Sequence, residues 1–114
     1  VWNVDRRRFE ELVADAIDLV PEDFAEALEE VAIVVEERAP ARLGSLYGLY
    51  QGVPRTSPSG WAELPPRISI YMHPLVEHAR NEAELVEQVR VTVLHELGHH
   101  LGMDEDQLEE LGYG

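Results

Sequence analysis

The 114-residue sequence contains no cysteine. This excludes a disulfide framework and every cysteine-based zinc site, so any bound metal must be held by histidine and carboxylate. Lysine is missing as well: all nine basic residues are arginine, and asparagine is limited to Asn3 and Asn81. Heat adaptation would produce such a bias by removing thermolabile residues. A GC-rich genome, through its Arg, Ala, Gly and Pro codons, produces it equally well and is the preferred explanation. Positive charge is scarce overall. Against 23 acids the formal net charge is −14, which argues against nucleic-acid phosphates and anionic membranes as partners. It favours cations without naming a substrate.

Long apolar runs are also absent. The longest, Val31 to Val35, falls far short of the roughly 20 residues that a membrane-spanning helix needs. Arg6-Arg7-Arg8 precede FEELVADAIDLV, which carries acids at Glu10, Glu11, Asp15 and Asp18. A secretory signal would need an uninterrupted apolar stretch there, so the expected address is the cytoplasm. The length suits one small domain, residues 1–114, with a single core.

Along the chain, Phe9, Leu12, Val13, Ala16 and Leu19 or Val20 recur with a helical period, with Asp5 as the N-cap. Pro21 suits the first turn of a second, short helix over Glu22 to Glu29. Val31 to Glu37 is rich in β-branched residues and reads as a strand interior to the sheet, buried on both faces. Leu46 to Gln51 reads as a second strand carrying Gly48, a residue that marks a bulge or the close approach of another chain. An ordinary edge strand is expected there, with pairing to an extended peptide as the functional alternative. Val53 to Pro66 holds four prolines and reads as a loop with Trp61 near its tip, packed on the body. Arg67 to Met72 alternates as a third strand, with Ile68, Ile70 and Met72 on one face, ended by His73-Pro74. His73 and His78 are expected to be solvated or capping residues rather than ligands.

Asn81-x-x-Glu84 is a capping-box pattern that opens a long helix, Glu82 to Leu101. Within it lies His95-Glu96-x-x-His99. Residues four apart on a helix project from one face, one turn apart, so both imidazoles can reach one zinc ion at roughly 2.0–2.1 Å. Glu96 sits beside them as a carboxylate able to take a proton from water activated by the metal. His100 projects about 100° away from His99 and falls outside the ligand set. Gly102 stops the helix in the left-handed conformation and reverses the chain. Asp104-x-x-Gln107 is a second capping pattern over a short helix, Glu105 to Leu111, and occupies Asp104. That leaves Glu105 as the favoured third ligand and Asp106 as the alternative. With 5 His among 114 residues, a shuffled chain would contain about 0.03 copies of the five-residue motif. The form extended through Gly102 to Glu105 is expected on the order of 0.0005 times.

HELGHHLGMDE resembles the extended zincin signature His-Glu-x-x-His-x-x-Gly-x-x-acid of the mini-zincins, small zincin-like metallopeptidases related to the Asp-zincins. The likeness is sharp from His95 to Asp106 and looser back through LYGLYQGVP and RISIY. The resemblance implies an α+β class: a compact zincin-like domain with a sheet of about three strands. An N-terminal helical pair, a long active-site helix and a short C-terminal helix would pack that sheet. It implies Zn2+ on His95, His99 and Glu105, with Glu96 as general base, acting on a peptide or protein substrate. One departure is that the relatives more usually carry Asp where Glu105 stands. Only nine residues follow Glu105, which are expected to be too few for a lower cleft wall, a specificity pocket or a Met-turn. Met103 cannot serve as that turn, and an oxyanion donor is unassigned among Tyr47, Tyr50, Tyr71 and Tyr113. The alternative is a catalytically weak or inactive zinc-binding module, or a site completed by a partner chain.

Overall fold

The computed structural model describes residues 3–52 and 65–114. Most of the loop expected over Val53 to Pro66, Trp61 included, lies outside the described residues.

Helix α1 spans Arg6–Asp18, and its buried stripe is Phe9, Leu12, Val13 and Ala16. Asp5 caps it as expected, accepting from the Arg8 amide at 2.8 Å. After Pro21 a 3-10 turn, Glu22–Phe24, leads into helix α2, Ala25–Glu30. The second helix therefore begins more tightly wound than the sequence pattern suggested.

Among the described residues three strands follow: β1, Ala32–Glu36; β2, Gly48–Gln51; and β3, Arg67–Tyr71. Their order is β1-β3-β2, with β3 parallel to β1 and antiparallel to β2. The placement of Val31 to Glu37 inside the sheet is thereby corrected. β1 is an edge strand, with Ala32 exposed and the remainder half-buried. The central strand is β3, in which Ile68, Ser69, Ile70 and Tyr71 are all buried. A β-branched run shows that a strand packs on something, but not which side carries a neighbour. The outer edge of β1 is partly covered: the Arg6 guanidinium donates to the Val35 carbonyl at 2.6 Å. A charged side chain in that position discourages further strand pairing.

β3 runs directly into helix α3, Met72–His78, where the sequence pattern had run the strand to Met72 and ended it at His73-Pro74. Pro74 is the third residue of that helix, and the first four helical amides have no intrahelical acceptor. Proline therefore costs no hydrogen bond there, and its fixed φ suits the first turn.

Helix α4, Glu82–His100, is the backbone of the domain. The Asn81 side chain accepts from the Glu84 amide at 2.9 Å. The reciprocal half of the box is displaced by one residue, because the Glu84 carboxylate accepts from the Arg80 amide at 3.0 Å. Leu85, Val89, Val93 and Leu97 lie on the buried face of α4 and join Phe9, Leu12, Ile68, Ile70 and Leu75 in one core. Each such side chain, fully withdrawn from water, stabilises the fold by about 1.5–3 kcal/mol. α4 thus lies between α1 on one side and β2 and β3 on the other.

Gly102 takes φ 83°, its amide donating to the His99 carbonyl at 3.0 Å and the Met103 amide to the Gly98 carbonyl at 2.9 Å. These two bonds form the Schellman closure that turns the chain back along α4. Helix α5, Glu105–Glu110, then begins with Asp104 and Gln107 forming a complete capping box. The result is a compact α+β domain with the expected helical pair, long helix and short C-terminal helix around three strands. No helix among the described residues is long and apolar enough to cross a membrane.

Candidate metal centre

His95 and His99 project from one face of α4, and their Nε2 atoms lie 3.2 Å apart. The capping box fixes the start of α5, so that Glu105, its first residue, points back at them. Glu105 Oε1 is 3.0 Å from His99 Nε2 and 3.5 Å from His95 Nε2. A tetrahedral ion with bonds of about 2.0–2.1 Å holds its ligand atoms about 3.3–3.4 Å apart. The three measured separations bracket that value. Two imidazole nitrogens and a carboxylate oxygen turned inward on one point form a donor set suited to a divalent cation. Among the described residues these three form the group able to hold a metal ion. Asp106 is not part of it, and neither are His73, His78 or His100.

The orientation of His95 is fixed from behind. Its Nδ1 lies 2.7 Å from the Tyr113 carbonyl oxygen. A carbonyl can only accept, so Nδ1 carries the hydrogen and the Nε2 lone pair faces Glu105 and His99. Tyr113 is positioned after α5, and its ring packs edge-on against Phe24 at 6.1 Å. The sequence offered no signal for this contact, because a main-chain atom makes it.

Glu96 is nearly buried, 8% exposed. One carboxylate oxygen, Oε1, accepts from the Tyr50 amide at 2.9 Å. The other, Oε2, lies 4.0 Å from His95 Nε2, beside the donor set and not within it. Burial raises the Glu96 carboxyl above its ordinary value, while the neighbouring His95 imidazole and the Tyr50 amide pull it back. Gly48 makes this approach possible. A Cβ there would stand 2.7 Å from Thr92 Cγ2 and 3.0 Å from the Ser69 carbonyl oxygen. The glycine in the strand therefore marks a close approach, but by α4 of the same chain, where the sequence had left a bulge or the approach of another chain open.

A cavity of about 220 Å³ opens against Glu96 and His95, walled by Tyr47 and Gly48 of the β2 segment, Thr92 of α4 and the terminal Tyr113 and Gly114. The short tail after Glu105 thus does build part of a wall. Of the four tyrosines considered as oxyanion donors, Tyr47 and Tyr113 line this cavity. Tyr47 holds its hydroxyl 2.7 Å from His78 Nδ1. Tyr71 is buried in the core, and the Tyr50 hydroxyl turns to His100 at 2.8 Å.

A small α+β domain whose His-Glu-x-x-His helix lies under an edge strand, with an acid returned by a glycine stop, defines a class of metal-site domain. The family model for zincin-like metallopeptidases matches residues 28–114, and the chain belongs to that family. Among solved structures it is similar to a conserved hypothetical protein from Thermus thermophilus, at 31% identity. That match covers 86% of this chain and 94% of the other, with a TM-score of 0.57. No curated protein matches the sequence.

Proposed function

We propose that the protein is a zinc-dependent metallopeptidase, with His95, His99 and Glu105 as the metal ligands and Glu96 as general base. The observation that carries this reading is the convergence of His95 Nε2, His99 Nε2 and Glu105 Oε1, with the Glu96 carboxylate beside them and uncommitted to the set. When bound, zinc would supply a Lewis acid that lowers the pKa of a water towards about 7 and polarises a carbonyl oxygen. Glu96 takes the proton from the attacking water and delivers it to the amine nitrogen as the C–N bond breaks. Its burial keeps bulk water from competing for that proton.

The substrate proposed is an extended peptide. Among the described residues β2 pairs with β3 on one side only. The Tyr47 carbonyl accepts from the Tyr71 amide at 2.9 Å, and in the antiparallel register this turns the backbone groups of Leu49 and Gln51 towards β3. The alternation turns the backbone groups of Gly48 and Tyr50 to the other edge. Tyr50 spends its amide on Glu96, while Gly48 opens on the cavity, where a peptide strand can add by main-chain hydrogen bonds.

The test is elemental analysis of the purified protein together with a broad peptide library cleaved by wild type and Glu96→Gln. Stoichiometric zinc in both, with cleavage only in wild type, is the expected result. Zinc without cleavage in wild type replaces the peptidase with a zinc-binding module. No metal in either, after zinc is supplied, removes both readings.

A further inference from the structure

Behind Glu96 lies a polar chain, running from exposed Glu30 through buried His100 to half-buried Tyr50, that the proposed reaction does not use. His100, the last residue of α4, is 4% exposed. Its Nδ1 is 2.8 Å from the Tyr50 hydroxyl and its Nε2 is 2.8 Å from Glu30 Oε1. A carboxylate can only accept, so Nε2 carries the ring hydrogen and donates to Glu30. Nδ1 of the neutral ring then accepts from the Tyr50 hydroxyl. All three polar groups are satisfied, and the chain ties the end of α2 to the end of α4 and to the middle of β2.

Tyr50 is the residue whose amide holds Glu96 Oε1 at 2.9 Å. Its side chain is anchored at His100 and its main chain at the carboxylate, so a single residue links this polar chain to the site. β2 needs such an anchor. Among the described residues it is a four-residue strand paired on one side, and on its far edge the Tyr50 amide reaches Glu96 of α4. A short edge strand held on one side opens readily. We propose that Glu30, His100 and Tyr50 act as positioning residues that pin β2 to α4, fixing the Glu96 carboxylate beside the donor set. This inference rests on Glu96 being the base, but its structural half can be measured without any turnover.

That measurement is residue-resolved amide hydrogen exchange on the full chain, with and without zinc. Wild type is compared with Tyr50→Phe, His100→Leu and His100→Gln. The amide of residue 50 faces away from β3, so its protection reports the bond to Glu96. Protection at residue 50 should fall at least about tenfold in Tyr50→Phe and His100→Leu, a factor worth 1.4 kcal/mol. The Ile68 and Ile70 amides of the central strand should keep theirs. His100→Gln retains one donor and one acceptor and should recover most of the protection. In peptide assays the first two variants should lose roughly tenfold in kcat, with KM within about twofold and zinc content unchanged. Unchanged protection at residue 50 overturns the proposal. Protection lost equally at Ile68 and Ile70 overturns it too, as does lost protection with kcat intact. If Glu96→Gln cleaves as wild type does, the base assignment fails on its own, and the exchange data still decide whether this chain holds β2 in place.

Discussion

Leu108 of α5 occupies the space in which residue 98 of α4 would carry a side chain. A Cβ on Gly98 would collide with Leu108 Cδ2 and lie 3.2 Å from its Cγ. Leu108 is fully buried, so moving it disturbs the packing around it. Glu105 stands three residues earlier on the same short helix. The missing side chain at position 98 therefore sets how near the third donor comes to the two imidazoles.

Gly98→Ala should accordingly act on the metal more than on the fold. Alanine gains about 1 kcal/mol of helix propensity over glycine, against roughly 1–3 kcal/mol for overpacking, so the metal-free melting temperature should move by only a few degrees. Displacing Leu108 displaces Glu105, and zinc affinity should fall by about tenfold or more. Adding Leu108→Ala removes the collision and should restore part of the affinity, despite the cavity of about 2–5 kcal/mol that it creates. Chelator-competition titrations of the two single variants and the double variant test this. Additive losses in affinity would show that the contact does not position Glu105.

Much of this arrangement was readable from local chemistry. Asn81, Gly102 and the Asp104–Gln107 pair each do in the structure what their residue types predict, because caps and helix stops are decided within a few residues. His95, Glu96, His99 and Glu105 come together because those stops set the path between them. What was not legible depended on partners distant in sequence. The apolar run of β1 looked central because nothing local reports the side on which a strand is paired, while Ser69 disguised β3 as half-exposed. Pro74 read as a terminator, although in a first turn it is compatible with helix. Gly98 occupies a position the motif leaves unspecified, and its constraint comes from Leu108, ten residues further on.

The identity of the third ligand gives a second prediction. Glu105→Gln keeps the size and removes the charge, and should lower zinc affinity by about a hundredfold or more. Asp106→Asn should stay within about threefold, because Asp106 lies outside the converging group. Glu105→Asp is the informative intermediate. Its carboxylate is one methylene shorter, while the present Oε1 stands 3.0 Å from His99 Nε2. Unless α5 slides towards α4, that variant should bind zinc about 10–100-fold more weakly. Tight binding by Glu105→Asp would mean that α5 adjusts, and that the departure from the relatives' Asp costs little.

Gly48→Ala tests the close approach of β2 from the other side. The new methyl would meet Thr92 Cγ2 at 2.7 Å and the Ser69 carbonyl oxygen at 3.0 Å, so the strand must lift from α4. The Tyr50 amide then leaves Glu96, and kcat/KM should drop on the order of tenfold or more while bound zinc stays stoichiometric. Thr92→Ser in the same chain deletes the methyl but keeps the hydroxyl that donates to the Gln88 carbonyl at 2.8 Å. It should recover part of the loss, though not all, because the Ser69 carbonyl remains in the way. Wild-type turnover in Gly48→Ala would separate β2 from the chemistry.

Removing the metal should loosen one end of the molecule in particular. Without a cation, the Glu105 carboxylate faces the buried Glu96, whose carboxyl it pushes further up, and α5 loses the bond that closes it onto α4. A ligand present at a hundred times its Kd stabilises the folded state by about 2.7 kcal/mol. In a domain of this size that corresponds to a melting shift on the order of 10 °C. Chelation should therefore lower the melting temperature by about that amount in wild type and leave Glu105→Gln almost unaffected. Hydrogen exchange should locate the change: the Leu108, Leu111 and Tyr113 amides, which donate to Asp104, Gln107 and Leu108, should lose protection on chelation. Amides of the β3 core should not. Uniform loss across both regions would instead make the metal a support of the whole fold, and zinc would then be structural first and catalytic second.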